Sequence, residues 1–321
     1  MAQQPTVSIV LPTYNNERTI QQCLEGIFSQ DYPRKKLEVL IVDGGSTDNT
    51  LSIVKKYPVI LCKNKKKVEE YGRVVGINKA KGTIIGFIDA DNIISDKQFL
   101  KKIVVPFKDT TITATDTLFF TATKKDNLIT RYCALLSGDD PYAIHLGIYD
   151  RMCYITGKWT GLPHIEKIYK THRKITLMPG NVPAMGSNGF FVRKDRLKKI
   201  TYTPFIHTDI VNRLVVGGFD TFGKVPVGLK HDLKNVSDFF IKKIRRVDRR
   251  LNKEITLEYP YNASPLRLFV ISLLFLTFIV PCLEAIRGFI RKPSSAWIFH
   301  PFACFGVFSV YSYKTILHLL K

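Results

Sequence analysis

The sequence predicts an α/β fold with a doubly wound, mainly parallel sheet, on three grounds. Short apolar runs each end in a polar loop rich in glycine or aspartate, and segments with helical apolar spacing separate those runs. The third ground is size: 321 residues at 45% hydrophobic content can bury a sizeable core. Alternation of this kind puts ligands at the carboxyl ends of the strands.

The first strand is expected over Val7 to Leu11, with Pro12-Thr13-Tyr14-Asn15-Asn16 as its turn. Glu17 to Gln30 then carries Ile20, Leu24, Ile27 and Phe28 at helical spacing. Leu37 to Val42 is the second strand and runs into Asp43-Gly44-Gly45-Ser46-Thr47-Asp48-Asn49-Thr50, whose hydroxyls and carboxylates suit the cap of a helix over Leu51 to Lys56. Val59 to Cys62, Val74 to Ala80 and Thr83 to Ile88 continue as strand, helix and strand. The last run ends at Asp89-Ala90-Asp91-Asn92. Two carboxylates one residue apart at the exposed end of a buried strand form an oxygen-rich site, suited to a hard divalent cation carrying a phosphorylated ligand. From Asp109 to Leu229 the pattern is less regular, with breaks near Pro141, Gly161, Pro163, Pro179 and Gly180; Asp139-Asp140-Pro141 reads as a turn.

Asn235 to Lys253 sets Val236, Phe239, Phe240, Ile244, Val247 and Leu251 on one helical face, opposite Lys242, Lys243, Arg245, Arg246, Arg249 and Arg250. This pattern suits the plane of an anionic membrane surface, and equally a surface helix packed on a protein core. Its neighbours favour the membrane. Leu268 to Leu283 is uncharged, and Ala296 to Tyr313 holds only the titratable His300; the pair reads as a hydrophobic helical hairpin, with two shallow or re-entrant helices as the alternative. The expected organisation is a catalytic domain over 1–232, a basic amphipathic interfacial segment over 233–264 and a membrane hairpin over 265–321. Within the first, 1–108 is expected to be the half that takes the phosphorylated ligand and metal, and 109–232 the acceptor half.

With 48 Lys and Arg against 27 Asp and Glu, the net charge of +21 attracts polyanions of any kind. The basic residues gather beside the apolar segments rather than among exposed aromatics, which argues against nucleic acid. Six scattered cysteines suggest neither a zinc framework nor a disulfide scaffold, consistent with a reducing compartment. Met1 to Pro5 lacks the pattern of a secretory signal.

Four ordered pieces, Val7-Ser8-Ile9-Val10-Leu11-Pro12-Thr13-Tyr14-Asn15-Asn16-Glu17, Val42 to Thr50, Lys79-Ala80-Lys81-Gly82 and Phe87-Ile88-Asp89-Ala90-Asp91-Asn92, resemble the signature of family-2 glycosyltransferases with the GT-A fold. The resemblance covers about residues 5 to 232 and is tightest over the first ninety or so. It implies a metal-dependent inverting transfer of a sugar from a nucleoside-diphosphate donor. Pro12, Tyr14 and Glu17 would line the base and ribose, Asp43 would accept hydrogen bonds from the base, and Arg73 would meet phosphate oxygens. Asp91 would bind Mg²⁺ or Mn²⁺, Asp89 would contact the ribose or a metal-bound water, and His231 would complete the metal or diphosphate site.

Met185-Gly186-Ser187-Asn188-Gly189-Phe190-Phe191 looks like the family's acceptor-site glycine segment, and Asp209 downstream is the candidate base. Relatives often carry adjacent acidic residues there, whereas this chain has Thr208-Asp209; an N-cap for a helix over Ile210 to Val216 is the other reading. The apolar tail implies a membrane-associated enzyme with its catalytic domain on the cytosolic side and a lipid-linked acceptor, such as a polyisoprenyl phosphate or a lipid-carried glycan. A transferase for capsular or exported polysaccharide and a non-catalytic membrane scaffold are the alternatives.

Overall fold

The computed structural model describes residues 4–186, 188–252, 257–259, 261 and 263–320. In chain order the first elements are β1 (Val7–Thr13), α1 (Ile20–Phe28), β2 (Leu37–Asp43), α2 (Thr50–Val54), β3 (Ile60–Lys63), α3 (Glu69–Lys79), β4 (Ile84–Phe87), β5 (Asn92–Ile93), α4 (Phe99–Val104) and β6 (Ala114–Phe120). Next come α5 (Leu128–Leu136), α6 (Pro141–Leu146), β7 (His164–Ile168), β8 (Arg173–Leu177), β9 (Phe190–Arg193), α7 (Lys194–Leu197), α8 (His207–Val216) and β10 (Thr221–His231). The chain closes with α9 (Val236–Leu251), α10 (Pro265–Leu276), α11 (Ile279–Arg291) and α12 (His300–Leu319). It divides into two units, one of residues 1–119 and 163–232, the other of 120–162 and 233–321.

The first unit is built on a sheet in the order β3-β2-β1-β4-β9-β6-β10-β8-β7, with β5 paired to β10. The expected parallel arrangement holds for β3, β2, β1 and β4, and the sheet as a whole is mixed: β4 meets β9 antiparallel, and β10, β8 and β7 are antiparallel neighbours. Continuous apolar runs made β1, β2 and β4 legible, because those parallel strands are buried on both faces; β3, at the sheet edge, is mostly exposed and was legible from its short apolar run alone. β6 reads Ala-Thr-Asp-Thr-Leu-Phe-Phe and buries Thr115, Asp116 and Thr117. Asp116 Oδ2 lies 3.0 Å from Lys224 Nζ on β10, both side chains wholly buried, so an ion pair stands where an apolar pattern would have announced a strand. Close packing fixes α3 on the sheet at Gly76, where an added Cβ would come within 2.3 Å of Val10.

The second unit is helical around Tyr132, Tyr142, Leu233, Phe239, Phe275, Trp297 and Phe299. Here the basic face expected on α9 is modified. Lys243 is buried with its Nζ 2.8 Å from Asp139, and Arg246 reaches the same carboxylate at 3.2 Å. Asp140 accepts from the Tyr142 amide as the N-cap of α6, so the supposed turn is half ion pair and half cap. Phe239 of α9 is buried, and a Cβ at Gly306 of α12 would meet the Phe240 ring at 2.4 Å, so α9 packs against α12. Lys253, the expected end of this helix, lies outside the described residues.

The expected helix over Leu268 to Leu283 is broken. Phe278 sits in the left-handed region at φ 57°, which a continuous helix does not tolerate, and α10 and α11 bend by 80° across it. Among the described residues no single helix is long and apolar enough to cross a membrane; α10 and α11 pass that test only as a bent pair.

Candidate active site

The ends of β1, β2 and β4 present the loops that carry most of the expected site residues. Parallel register aligns Pro12 with Val42 and Thr13 with Asp43. Asp43 is buried and its carboxylate accepts from the Gly45 amide at 2.8 Å, the Ser46 amide at 3.1 Å and the Ser46 hydroxyl at 2.6 Å. Gly45 at φ 93° lets the chain fold back onto that carboxylate. Tyr14 is exposed, as a stacking surface for a base would be. Glu17 takes part in the loop itself: its Oε2 accepts from the Asn49 amide and side chain at 3.0 Å, while the Glu17 amide donates to Asp48 Oδ2 at 3.1 Å. The β1 and β2 loops are thereby locked together, with Asn15 Oδ1 accepting from the Thr47 amide at 2.8 Å.

Arg73 lies on α3 and is buried, donating from Nη2 to Asp89 Oδ1 at 2.9 Å and to Glu69. Its guanidinium is thus aimed at the first aspartate of the pair. Burial pushes the Asp89 carboxyl up to about 6, against the opposing pull of Arg73. Beneath the pair, Cys23 donates from Sγ to the Asp89 carbonyl at 3.6 Å, and burial raises its thiol, so no thiolate competes there.

Asp91 and His231 are 140 residues apart and meet at 3.1 Å, Oδ2 to Nε2. The cause is register: β5 pairs with the end of β10 so that His231 faces Asn92, and the Asp232 amide donates to the Asp91 carbonyl at 2.9 Å. Asn92 Nδ2 holds the other Asp91 oxygen at 3.1 Å. Neighbouring ligand positions around an octahedral ion with bonds of about 2.1 Å are roughly 3 Å apart, so one Mg²⁺- or Mn²⁺-sized cation fits both atoms. Carboxylate oxygen is the donor type that Mg²⁺ and Mn²⁺ prefer, and an imidazole nitrogen beside it suits Mn²⁺ better than Mg²⁺.

Sequence reasoning missed two groups here. Arg18 donates to Asp232 Oδ2 at 2.6 Å and to its carbonyl at 2.9 Å, pinning the strand end that carries His231. No local signal links residues so far apart.

Asp209 is buried in the first turn of α8, whose N-cap is Ile206; the helix starts before Asp209, which is therefore not its cap. Phe205, just ahead of α8, packs its ring 4.5 Å from Phe87 at the end of β4 and 6.0 Å from the Arg73 guanidinium. The glycine segment reaches α8 as well: Gly186, at φ 112°, leaves only 2.7 Å between an added Cβ and the His207 carbonyl. The Gly189 amide donates to the Phe87 carbonyl at 2.8 Å, tying this segment to the strand that ends at Asp89. Ser187 lies outside the described residues.

A model for glycosyl transferase family 2 matches residues 8–195 of the chain. Over 93 residues the chain is 38% identical to glycosyltransferase AglE of Haloferax volcanii, covering 27% of this chain and 31% of that protein. Over 102 residues it is 36% identical to the dolichyl N-acetyl-alpha-D-glucosaminyl phosphate 3-beta-D-2,3-diacetamido-2,3-dideoxy-beta-D-glucuronosyltransferase of Methanococcus voltae, covering 30% and 32%. The chain spans about a third of the length of these two curated relatives. The mannosyltransferase of Pyrobaculum calidifontis, solved with GDP-Man and Mn²⁺, superposes with a TM-score of 0.58 at 17% identity over 99% of this chain and 88% of that one, a likeness of fold.

Proposed function

The chain belongs to glycosyl transferase family 2, and on that premise we propose that it is a metal-dependent, inverting enzyme that moves a sugar from a nucleoside-diphosphate donor to a lipid-linked acceptor. The observation that carries this reading is the approach of His231 Nε2 to Asp91 Oδ2 at the strand ends, beside an Asp89 clasped by Arg73. Asp91 and His231 would hold the cation, which when bound neutralises charge on the departing diphosphate. Asp89, oriented by Arg73, accepts from the ribose or from water. Asp43 reads the base edge, with Pro12 and Tyr14 as walls; Glu17 shapes the loop they stand on. Asp209 takes the proton from the acceptor hydroxyl as the sugar carbon is attacked from the face opposite the leaving group.

The acceptor class rests on the second unit. Leu266, Phe269, Leu273, Ile279, Leu283 and Ile290 of the bent pair are exposed, an apolar surface suited to lipid, and Arg287, Arg291 and Lys292 flank it. The name of the Methanococcus voltae relative describes transfer onto a dolichyl-linked sugar, in keeping with such an acceptor. The same surface supports attachment to a membrane with lipids as partners, and placing the catalytic unit on the cytosolic face is part of this reading.

Turnover of nucleotide sugars by the full chain with Mn²⁺ and membrane lipid extract tests the reading. We expect sugar to appear in an organic-extractable product, and Asp91→Asn to abolish it. Undiminished turnover in that variant would remove the metal assignment; label confined to aqueous polymer would remove the lipid acceptor.

A further inference from the structure

The helical unit contains a second constellation of ligand atoms, formed by α11 and α12. Glu284, His300 and Cys304 bring one carboxylate oxygen, one imidazole nitrogen and one thiol sulfur within 4.8 Å of one another. His300 and Cys304 stand four residues apart on α12, hence on one face a turn apart, and Glu284 enters from α11. We propose that these three side chains bind a borderline-soft divalent cation, zinc, which clasps α11 to α12.

One ion is reached by a turn of the Cys304 side chain, whose Sγ lies beside the imidazole at 4.0 Å from Nδ1. His300 Nε2 is 3.6 Å from Cys304 Sγ and 3.1 Å from Glu284 Oε2. Tetrahedral zinc, with bonds of about 2.0 Å to nitrogen and oxygen and about 2.3 Å to sulfur, separates these pairs by roughly 3.5 Å and roughly 3.3 Å. The outer groups are also in place. Tyr132 OH lies 2.8 Å from His300 Nδ1, so the second ring nitrogen is engaged and the ring orientation set. His145 Nε2 lies 3.2 Å from Glu284 Oε1 and holds the oxygen that faces away from His300. His300 and Cys304 are buried, and Glu284 is largely so.

The same groups also form a hydrogen-bonded network without a cation, in which His145 Nε2 and His300 Nε2 each meet one Glu284 oxygen. That network accounts for the carboxylate and both imidazoles, and Cys304 lies against the His300 ring without being required by it. A thiolate ligand separates this site chemically from the aspartate and histidine site of the first unit, since sulfur selects zinc over Mg²⁺ or Mn²⁺. Binding releases the Cys304 thiol proton and any proton on His300 Nε2, with no change of oxidation state. The four-residue spacing of His300 and Cys304 does not announce the site by itself, because the third ligand comes from another helix.

Titration of the metal-stripped full chain with Co²⁺ in reducing buffer tests this. The expected result is a thiolate-to-cobalt charge-transfer band that saturates at equimolar metal and is bleached by equimolar Zn²⁺. The band persists in Asp91→Asn and Cys23→Ser, which alter the other unit, and disappears in Cys304→Ser and Cys304→Ala, whose folds are checked by circular dichroism. A wild-type chain that gives no such band overturns the proposal irrespective of how the variants fold, as does a band that survives loss of Cys304.

Discussion

Lys224→Met isolates the ion pair at the centre of the sheet. Lys224 Nζ lies 3.0 Å from Asp116 Oδ2 and donates to the Thr117 carbonyl at 3.1 Å, with both charged side chains wholly buried. Taking away the ammonium removes the cation 3.0 Å from the buried Asp116 carboxylate. Removing one partner of such a pair costs about 3–5 kcal/mol, whereas replacing both is close to neutral because the desolvation of two ions is relieved together. At about 2–4 °C per kcal/mol for a unit of this size, the single variant should melt roughly 6–20 °C lower. Asp116→Asn keeps the Oδ1 acceptor that meets the Thr117 amide at 2.7 Å. Combined with Lys224→Met it should recover most of the loss. Melting of the four proteins of this cycle, followed by calorimetry, measures the coupling. A Lys224→Met protein within about 1 kcal/mol of wild type, or a double variant no better than the singles, would refute the claim that an unpaired buried charge dominates.

Asp209→Asn should lower turnover by about 10²–10⁴-fold while leaving the donor's dissociation constant, read by calorimetry, unchanged, since a general base acts only on the acceptor proton. Arg73→Lys keeps a charge but loses the guanidinium that reaches Asp89 and Glu69; affinity for the nucleotide donor should fall by roughly 10–100-fold, and an unaltered donor titration would show that Arg73 does not position Asp89. Lys174 and Thr111 hold the exposed Asp109 carboxyl down to about 2, below the usual carboxylate value near 4. A group lowered on folding contributes stability that is complete above its unfolded value and fades as pH falls from about 4 towards about 2. Lys174→Met should therefore shrink the acid-induced drop in Tm slightly, the pair being solvent-screened, and leave that drop's alkaline side untouched.

Strands β1, β2 and β4 were legible because both faces of a buried parallel strand are apolar, and each of those runs stops at a polar loop. β6 and β10 were not, since they carry Asp116 and Lys224 inward and the chain writes this as polarity. Asp89 and Asp91 could be singled out from their place after a strand. Arg18 and Asp232 could not, because their contact spans 214 residues and neither has a local pattern. On α9 the sequence shows a basic face, while the position of Asp139 decides that Lys243 points inward.

What the sequence alone determined is local and chemical: which runs are buried strands, which loops cap helices, and which carboxylates stand at strand ends in the order of a glycosyltransferase. Tertiary structure decided which of those groups meet. The pairing of β5 with β10 delivers His231 to Asp91, and the packing of α3 turns Arg73 onto Asp89. The left-handed Phe278 divides what hydropathy reads as one helix. Each outcome is set by partners far away in the chain, whose backbone register and close packing carry no trace in the residues on either side.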